Sequence, residues 1–402
     1  CGRAGACRPR AAQQEGVIVR VCCFGTYDVD YVRNAVVRAA LRSQGVEVVA
    51  CHATVWAGTE EKVADARRGP LNPRLWLKLL RAYGRLLRQH RAVGRYDAMI
   101  VGYPGHLDLF LARILTWLRR KPLVFDAYVS LYDTVISDRA LARPRSALAI
   151  ASRWLDRVTC LLADAVLLDT EANIAFFCAQ YRLPRTKFHR IWVGADEAYL
   201  SAEDETDGTS PFRVLYFGKF IPLHGLDTVV RAAKLLGATP EVRFEMIGGG
   251  QERRGAEALA ESLRVTNIDW GPEWMQPAEL RERIRQADVC LGILGVSDKA
   301  ARVIPTKAYI ALAMGKPLLT RDSPAARELL VPDVHAMLCA AGEPADVARA
   351  IMALRSDPAL RRRLGRAGRD LFRAECSTDA IGRALVRVLR AVCPSVPHVP
   401  QP

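Results

Sequence analysis

Apolar runs of four to eight residues recur along the chain, each followed by a glycine- or aspartate-bearing turn and then by a segment with helical spacing. The first run covers 17–24 and ends in Gly25-Thr26-Tyr27-Asp28; helical spacing over 30–43 and a second strand over 46–53 follow. Residues 97–102 and 122–126 repeat the strand-turn-helix order, and 163–200 add a strand, a helix and a last strand ending in Val193-Gly194-Ala195-Asp196. The rhythm restarts at Phe212, with strands over 213–217, 242–247, 267–270, 289–294 and 317–320. Beyond Glu328 the pattern reads as helices, over 344–356, 358–374 and 377–392. Regular alternation of this kind predicts an α/β chain of doubly wound, Rossmann-like sheets.

The two halves are separated by 201–211, a small, acidic, turn-rich stretch that reads as a linker. With 402 residues there is material for two domains, placed at 16–200 and 212–375, with a C-terminal helix at 376–392. The basic residues 1–15 lack the apolar core of a signal peptide. They and the proline-rich 393–402 are expected to be disordered. No apolar stretch has the length of a membrane span.

Charge narrows the partners. Lys and Arg number 58 against 43 Asp and Glu, a net charge of +15, which suits nucleic acid, an anionic membrane or a phosphorylated substrate. No basic run interleaved with aromatics supports nucleic acid. Eleven cysteines without C-x-x-C or Cys/His spacing fit a reducing, cytoplasmic compartment rather than a disulfide frame or a metal site. The helix predicted over 74–95 carries Arg74, Lys78, Arg81, Arg85 and Arg88 on one face, with Trp76, Leu80, Tyr83 and Leu87 opposite as the expected core face. That basic face is either a solvated exterior or a contact for anionic lipid. Cations near such a surface contribute about 1 kcal/mol each, so five give about 5 kcal/mol, a reversible peripheral attachment.

Candidate chemistry clusters at strand ends, where open parallel sheets bind ligands. His106 follows the strand 97–102 and Asp126 ends the strand 122–126, with Ser130, Tyr132 and Asp133 close behind. Gly218 and Lys219 follow the first strand of the second half, and His224 lies five residues on. Gly248, Gly249 and Gly250 form a turn that lets backbone approach a ligand. This run is not G-x-G-x-x-G and lacks the acidic ribose partner, which argues against an NAD-type enzyme. A helix opens at Pro305-Thr306-Lys307, and Gly315 stops it. Arg302 and Lys307 crowd its N-terminus, where cations are unfavourable unless an anion sits between them and the helix. Neither the paired carboxylates of a glycoside hydrolase nor a Ser-His-Asp arrangement is present.

These motifs resemble glycosyltransferase family 4. The wording FGTYDxDYxRN from Phe24, GYPGHLD from Gly102, VFDAYVSLYDT from Val124, FIPLHG from Phe220 and Ile304-Pro305-Thr306-Lys307 followed by Ala311 to Pro317 carries the resemblance over nearly all of 16–390. It implies the GT-B architecture, two Rossmann-like domains facing across a central cleft. It also implies retaining transfer of a sugar from a nucleotide-diphosphate-sugar co-substrate, with no metal and no further cofactor. The acceptor would be a glycan, a lipid-linked sugar or the cell envelope. Lys219, His224, Arg302 and Lys307 would steady the leaving diphosphate, with Gly25, Gly218, Gly248, Gly249 and the amides of the Pro305–Lys307 turn around the donor. His106 and Asp126 would line the acceptor side, and the last helix would cross back onto the first domain. The family's Glu-x7-Glu pair falls at Arg302 and Ile310, so its ribose-holding carboxylate is missing. A non-catalytic nucleotide-sugar or glycan-binding relative, and a polyanion binder driven by net charge, are the alternatives.

Overall fold

A computed structural model describes residues 19–55, 72–138, 143, 145–200 and 211–393. Of the expected tails at 1–15 and 393–402, all but the buried Cys393 lie outside the described residues, as do residues 201–210 of the expected linker. The first domain is a six-stranded sheet of β1 (Arg20–Gly25), β2 (Glu47–His52), β3 (Ala98–Val101), β4 (Leu123–Tyr128), β5 (Ala165–Leu168) and β6 (Phe188–Arg190). Its strand order is β2-β1-β3-β4-β5-β6, and every pairing is parallel. The second sheet holds β7 (Phe212–Phe217), β8 (Val242–Ile247), β9 (Ile268–Trp270), β10 (Val289–Leu291), β11 (Leu318–Arg321) and β12 (Met337–Cys339). Its order, β12-β11-β10-β7-β8-β9, is again all parallel. Two Rossmann-like domains in the GT-B arrangement result. The order reverses between β1 and β3 and between β7 and β10, and those switch points open the crevices where ligands enter such sheets.

Three expectations need correction. Residues 329–343 are not free of strand, because Met337–Cys339 pairs with β11 at the edge of the second sheet; three residues are too few to show a period. Residues 193–196 are not a strand; the last strand of the first sheet is Phe188–Arg190. The third correction concerns the helix Pro73–Ala92, whose cap, Asn72, accepts from the Arg74 amide at 3.1 Å. It buries Leu79, Ala82, Leu86 and His90 rather than Trp76, Leu80 and Leu87, which are exposed. Both stripes have helical spacing, so periodicity alone offers two core faces, and packing on the sheet selects one.

The domains share a core. Ile191, Trp192 and Val193 of the first join Tyr309, Phe372 and Ile381 of the second half in one apolar cluster. The helix Thr378–Val392 returns to the first domain and lies on the helix Val32–Ser43, with Gln44 Nε2 donating to Asp379 Oδ1. Its Gly382 is pressed against Ala40, so closely that an added Cβ would run into the Ala40 carbonyl. Polar ties reinforce the seam. Glu328, from the short helix Pro324–Leu329, accepts the first amides of the helix Glu171–Tyr181, from Glu171 at 2.6 Å and Ala172 at 2.7 Å. A carboxylate there satisfies orphan N–H groups and complements the helix dipole. Gly382→Val should therefore lower stability by about 1–3 kcal/mol through overpacking, read by chemical denaturation; an unchanged midpoint would mean that the two helices are not in contact.

Candidate functional site

In the second domain three strand-end turns are folded onto one another, and glycine makes that possible. Gly248 has φ of 130° and a Cβ there would collide with the Gly218 carbonyl. Gly250 likewise abuts the Phe220 backbone, and Gly225 and Gly295 approach the opposite loops. The glycines expected to admit a ligand at Gly248 therefore admit neighbouring backbone, while Gly249 faces Glu273, whose Oε2 would be 2.9 Å from an added Cβ. In the first domain Gly25 (φ 134°) makes room for Asp108, which accepts from the Thr26 amide at 2.7 Å.

Packed turns place Lys307 beside the end of β7. Pro305 is the extended cap of the helix Thr306–Ala313; lacking an N–H of its own, it leaves Thr306 and Lys307 to supply the first free amides. The Lys307 side chain is buried, its Nζ 3.6 Å above the Tyr216 ring and 3.4 Å from His224 Nδ1. It also lies against Gly218, the residue before Lys219. Lys307 forms no ion pair among the described residues, and burial holds its ammonium well below the usual lysine range. The Lys219 backbone and the Lys307 amine thus meet at His224, while the Lys219 side chain is exposed.

His224 is buried, its Nδ1 2.6 Å from the Lys219 carbonyl and 2.7 Å from the Tyr216 hydroxyl. A carbonyl that close requires Nδ1 to carry the proton and donate it, while Tyr216 donates to the same carbonyl at 2.8 Å. Burial, and then the neighbouring Lys307, hold the imidazole well below its usual value; the bond to Lys219 opposes this only in part. In the free protein His224 is therefore a neutral brace for the turn, its Nδ1 proton committed to the Lys219 carbonyl.

Arg302 takes a different place from the one expected. Its Nη2 pairs with Asp133 Oδ2 of the first domain at 2.7 Å, and its guanidinium stacks on Phe176 at 3.8 Å. Its carbonyl accepts from Thr170 Oγ1. It is a clasp between domains, with no hand free for a diphosphate through that nitrogen.

The acceptor-side candidates are also engaged. Asp126 is 1% exposed and forms a pair with Arg33, whose Nε is 2.9 Å from Asp126 Oδ2 and whose Nη2 donates to Asp126 Oδ1 at 3.1 Å. Arg33 Nη1 is filled by the carbonyls of Ile191 and Trp192. His106 Nε2 lies 3.0 Å from Asp156 Oδ1, with its ring edge-on to Phe125. Asp156 accepts in addition from Ser130, Tyr181 and the amides of Leu131 and Tyr132. Burial alone would raise the Asp156 carboxyl, but the bond from His106 and these amides bring it below its ordinary value. His106 and Asp156 thereby hold the 130–133 turn that presents Asp133 to Arg302.

Other groups at this edge escaped the sequence reading. Asp169 follows β5, is buried, and accepts from Asn173 Nδ2 at 2.8 Å; burial lifts it to about 6, against the pull of Asn173 and Arg33. Its signal was the strand-end LLDT, which parallels VFDA at Asp126. Tyr31, Tyr103 and Tyr128 bring three half-buried rings together beside the β1/β3 switch point, the closest centroids 5.3 Å apart. Among the described residues no group of three or more His, Cys, Asp or Glu side chains could hold a metal ion.

Asp126→Asn separates a structural role from a reacting one. It leaves the Arg33 guanidinium buried without its counter-charge, and should cost about 3–5 kcal/mol, measured by urea unfolding. A normally stable variant that loses only turnover would return Asp126 to the chemistry.

Residues 202–371 match the family described as "Glycosyl transferases group 1". No curated protein sequence matches the chain. Solved structures similar to it include a sucrose-phosphate synthase from Thermosynechococcus elongatus, with a TM-score of 0.68 and 17% identity, covering 93% of this chain and 98% of that one. HepE of Anabaena, solved in complex with UDP, has a TM-score of 0.67 and 14% identity, covering 93% and 100%. A glycosyltransferase from Rickettsia africae has a TM-score of 0.65 and 11% identity, covering 94% and 99%. At such identities the structures speak for the fold alone: the chain has the GT-B fold, and its residues 202–371 are similar to the glycosyl transferases group 1 family.

Proposed function

We propose that this protein transfers a sugar from a nucleotide-diphosphate-sugar donor, with retention of configuration, to a glycan, lipid-linked or cell-envelope acceptor on the cytoplasmic side of a membrane. One observation carries the reading: a buried lysine, Lys307, without a carboxylate partner, at a helix N-terminus, in the crevice where the second sheet reverses its order. Such a cation is unfavourable alone and favourable once an anion arrives. A diphosphate fits, because its charge grows as the bond to the anomeric carbon breaks. Lys307, the exposed Lys219 and the amides of Thr306 and Lys307 would meet that charge, each charge-assisted bond contributing about 1.5–3 kcal/mol.

In the transfer, the anomeric carbon parts from the diphosphate oxygen and bonds to an acceptor hydroxyl on the same face. The hydroxyl proton passes to the departing phosphate. His106 and Asp126, occupied by Asp156 and Arg33, support the walls rather than exchange protons. The tyrosine faces of Tyr31, Tyr103 and Tyr128 suit the apolar side of a sugar ring. A donor-binding relative without turnover is favoured by two facts, that Arg302 is committed to Asp133 and that His224 is neutral. Hydrolysis of UDP-, GDP- and dTDP-sugars without acceptor separates the two readings, and the anomeric configuration of the product tests retention.

Lys307→Met keeps the stem and discards the amine. The native lysine is held below its unfolded pKa, so the unfolded chain binds the extra proton, and stability falls as pH drops below the ordinary lysine value. The variant should thus be more stable near pH 7 by about 1–2 kcal/mol, yet slower in transfer by about 100-fold or more. Calorimetry of nucleoside diphosphate binding in buffers of different ionisation heat should show proton uptake by the wild type and none by the variant. Full activity in the variant would sink the cation role.

A further inference from the structure

The helices Pro73–Ala92, Asp108–Arg119 and Ala147–Leu162 pack on one face of the first sheet, around Leu79, Leu86, Leu109 and Cys160. The first two are tied by Arg119, which donates to the His90 carbonyl, and the second and third are in contact. Their outer sides are not the polar surface such helices normally present to water. Trp117 is 74% exposed, Leu118 70%, Leu80 67%, Ile150 63% and Trp154 59%. A broad apolar patch of this kind marks an interaction site.

Charge identifies the occupant. Arg74, Arg81, Arg85, Arg88, Arg153 and Arg157 are exposed among these apolar side chains. The only carboxylates in the three helices, Asp108 and Asp156, are each 1% exposed. The outward face is therefore dominated by aromatic, aliphatic and basic side chains, with no exposed carboxylate on the three helices. Tryptophans and leucines standing proud of a basic surface are of no use to a simple polyanion, whereas a lipid headgroup layer takes both. Among the described residues no helix is long and apolar enough to cross a membrane, so the face would lie on the bilayer rather than span it. The helix Pro73–Ala92 alone offers a footprint about 30 Å long.

We infer that this three-helix face seats the protein on an anionic lipid bilayer, with Trp117, Leu118, Leu80, Ile150 and Trp154 entering the headgroup region and the surrounding arginines meeting lipid phosphates. This extends the single basic helix expected from the sequence, and it does not depend on the transfer reaction. Because the helix Asp108–Arg119 starts shortly after the carboxyl end of β3, the bilayer would run up to that edge of the first sheet.

Flotation of the full chain with vesicles of phosphatidylcholine alone, and of phosphatidylcholine with phosphatidylglycerol, tests the inference. Binding is expected only with the anionic lipid, weakened by salt and accompanied by a blue shift of tryptophan emission. Trp117→Ser with Leu118→Ser, and separately Arg81→Glu with Arg85→Glu, should each weaken it by about 10-fold or more, with unchanged circular dichroism. Absence of vesicle binding overturns the inference, as does undiminished binding by the Trp117/Leu118 variant, which would reduce the contact to charge alone. A dimer in light scattering that the same variant makes monomeric, without vesicle binding, would assign the face to a second copy of the chain.

Discussion

A lysine enclosed by protein without a carboxylate partner must either give up its proton or meet an anion. Lys307 is in that position, and the surrounding turns are arranged to keep it there. Tyr216 lies under its ammonium, Gly218 leaves room for its last methylene, and His224 stands beside it as a neutral imidazole bonded to the Lys219 carbonyl. Removing the glycine contacts would part the turns, and a protonated His224 would add a second uncompensated charge. Burial is thus tolerated because it suppresses the cation, and on the proposed reading the site would gain most from a bound diphosphate.

The seam between domains applies the opposite logic. There Asp133 has Arg302 and Glu328 has the amides of Glu171 and Ala172, and just behind it, within the first domain, Asp126 has Arg33. Such pairs contribute little net stability compared with apolar packing but penalise any arrangement that separates them. Those that cross the seam fix how the two lobes face each other. His106 belongs to this framework through Asp156 and the 130–133 turn. Conversely, the outer face of the first domain holds arginines and large apolar side chains with almost no carboxylate, a composition that suits neither water nor a protein core.

The alternation of strand, glycine turn and helix in this sequence was enough to establish two doubly wound sheets, because buried parallel strands read as short apolar runs whatever surrounds them. It also placed Lys219, His224 and Lys307 at strand and helix ends, which the topology then brings to one crevice. Pairing across the chain was not readable in this way. Arg33 and Asp126 are 93 residues apart and Arg302 and Asp133 are 169 apart, and nothing local marks one as the other's partner.

Protonation and facing were likewise decided by tertiary structure alone. Lys307 and His224 lose their charge through burial, a property of the assembled turns and not of residue type. On the helix Pro73–Ala92 two apolar stripes have the same period, and the sheet takes Leu79, Ala82 and Leu86, leaving Trp76 and Leu80 outside. Local pattern determines which elements form, since it sets backbone propensity and period; only contact between distant segments determines which charges survive and which faces remain open.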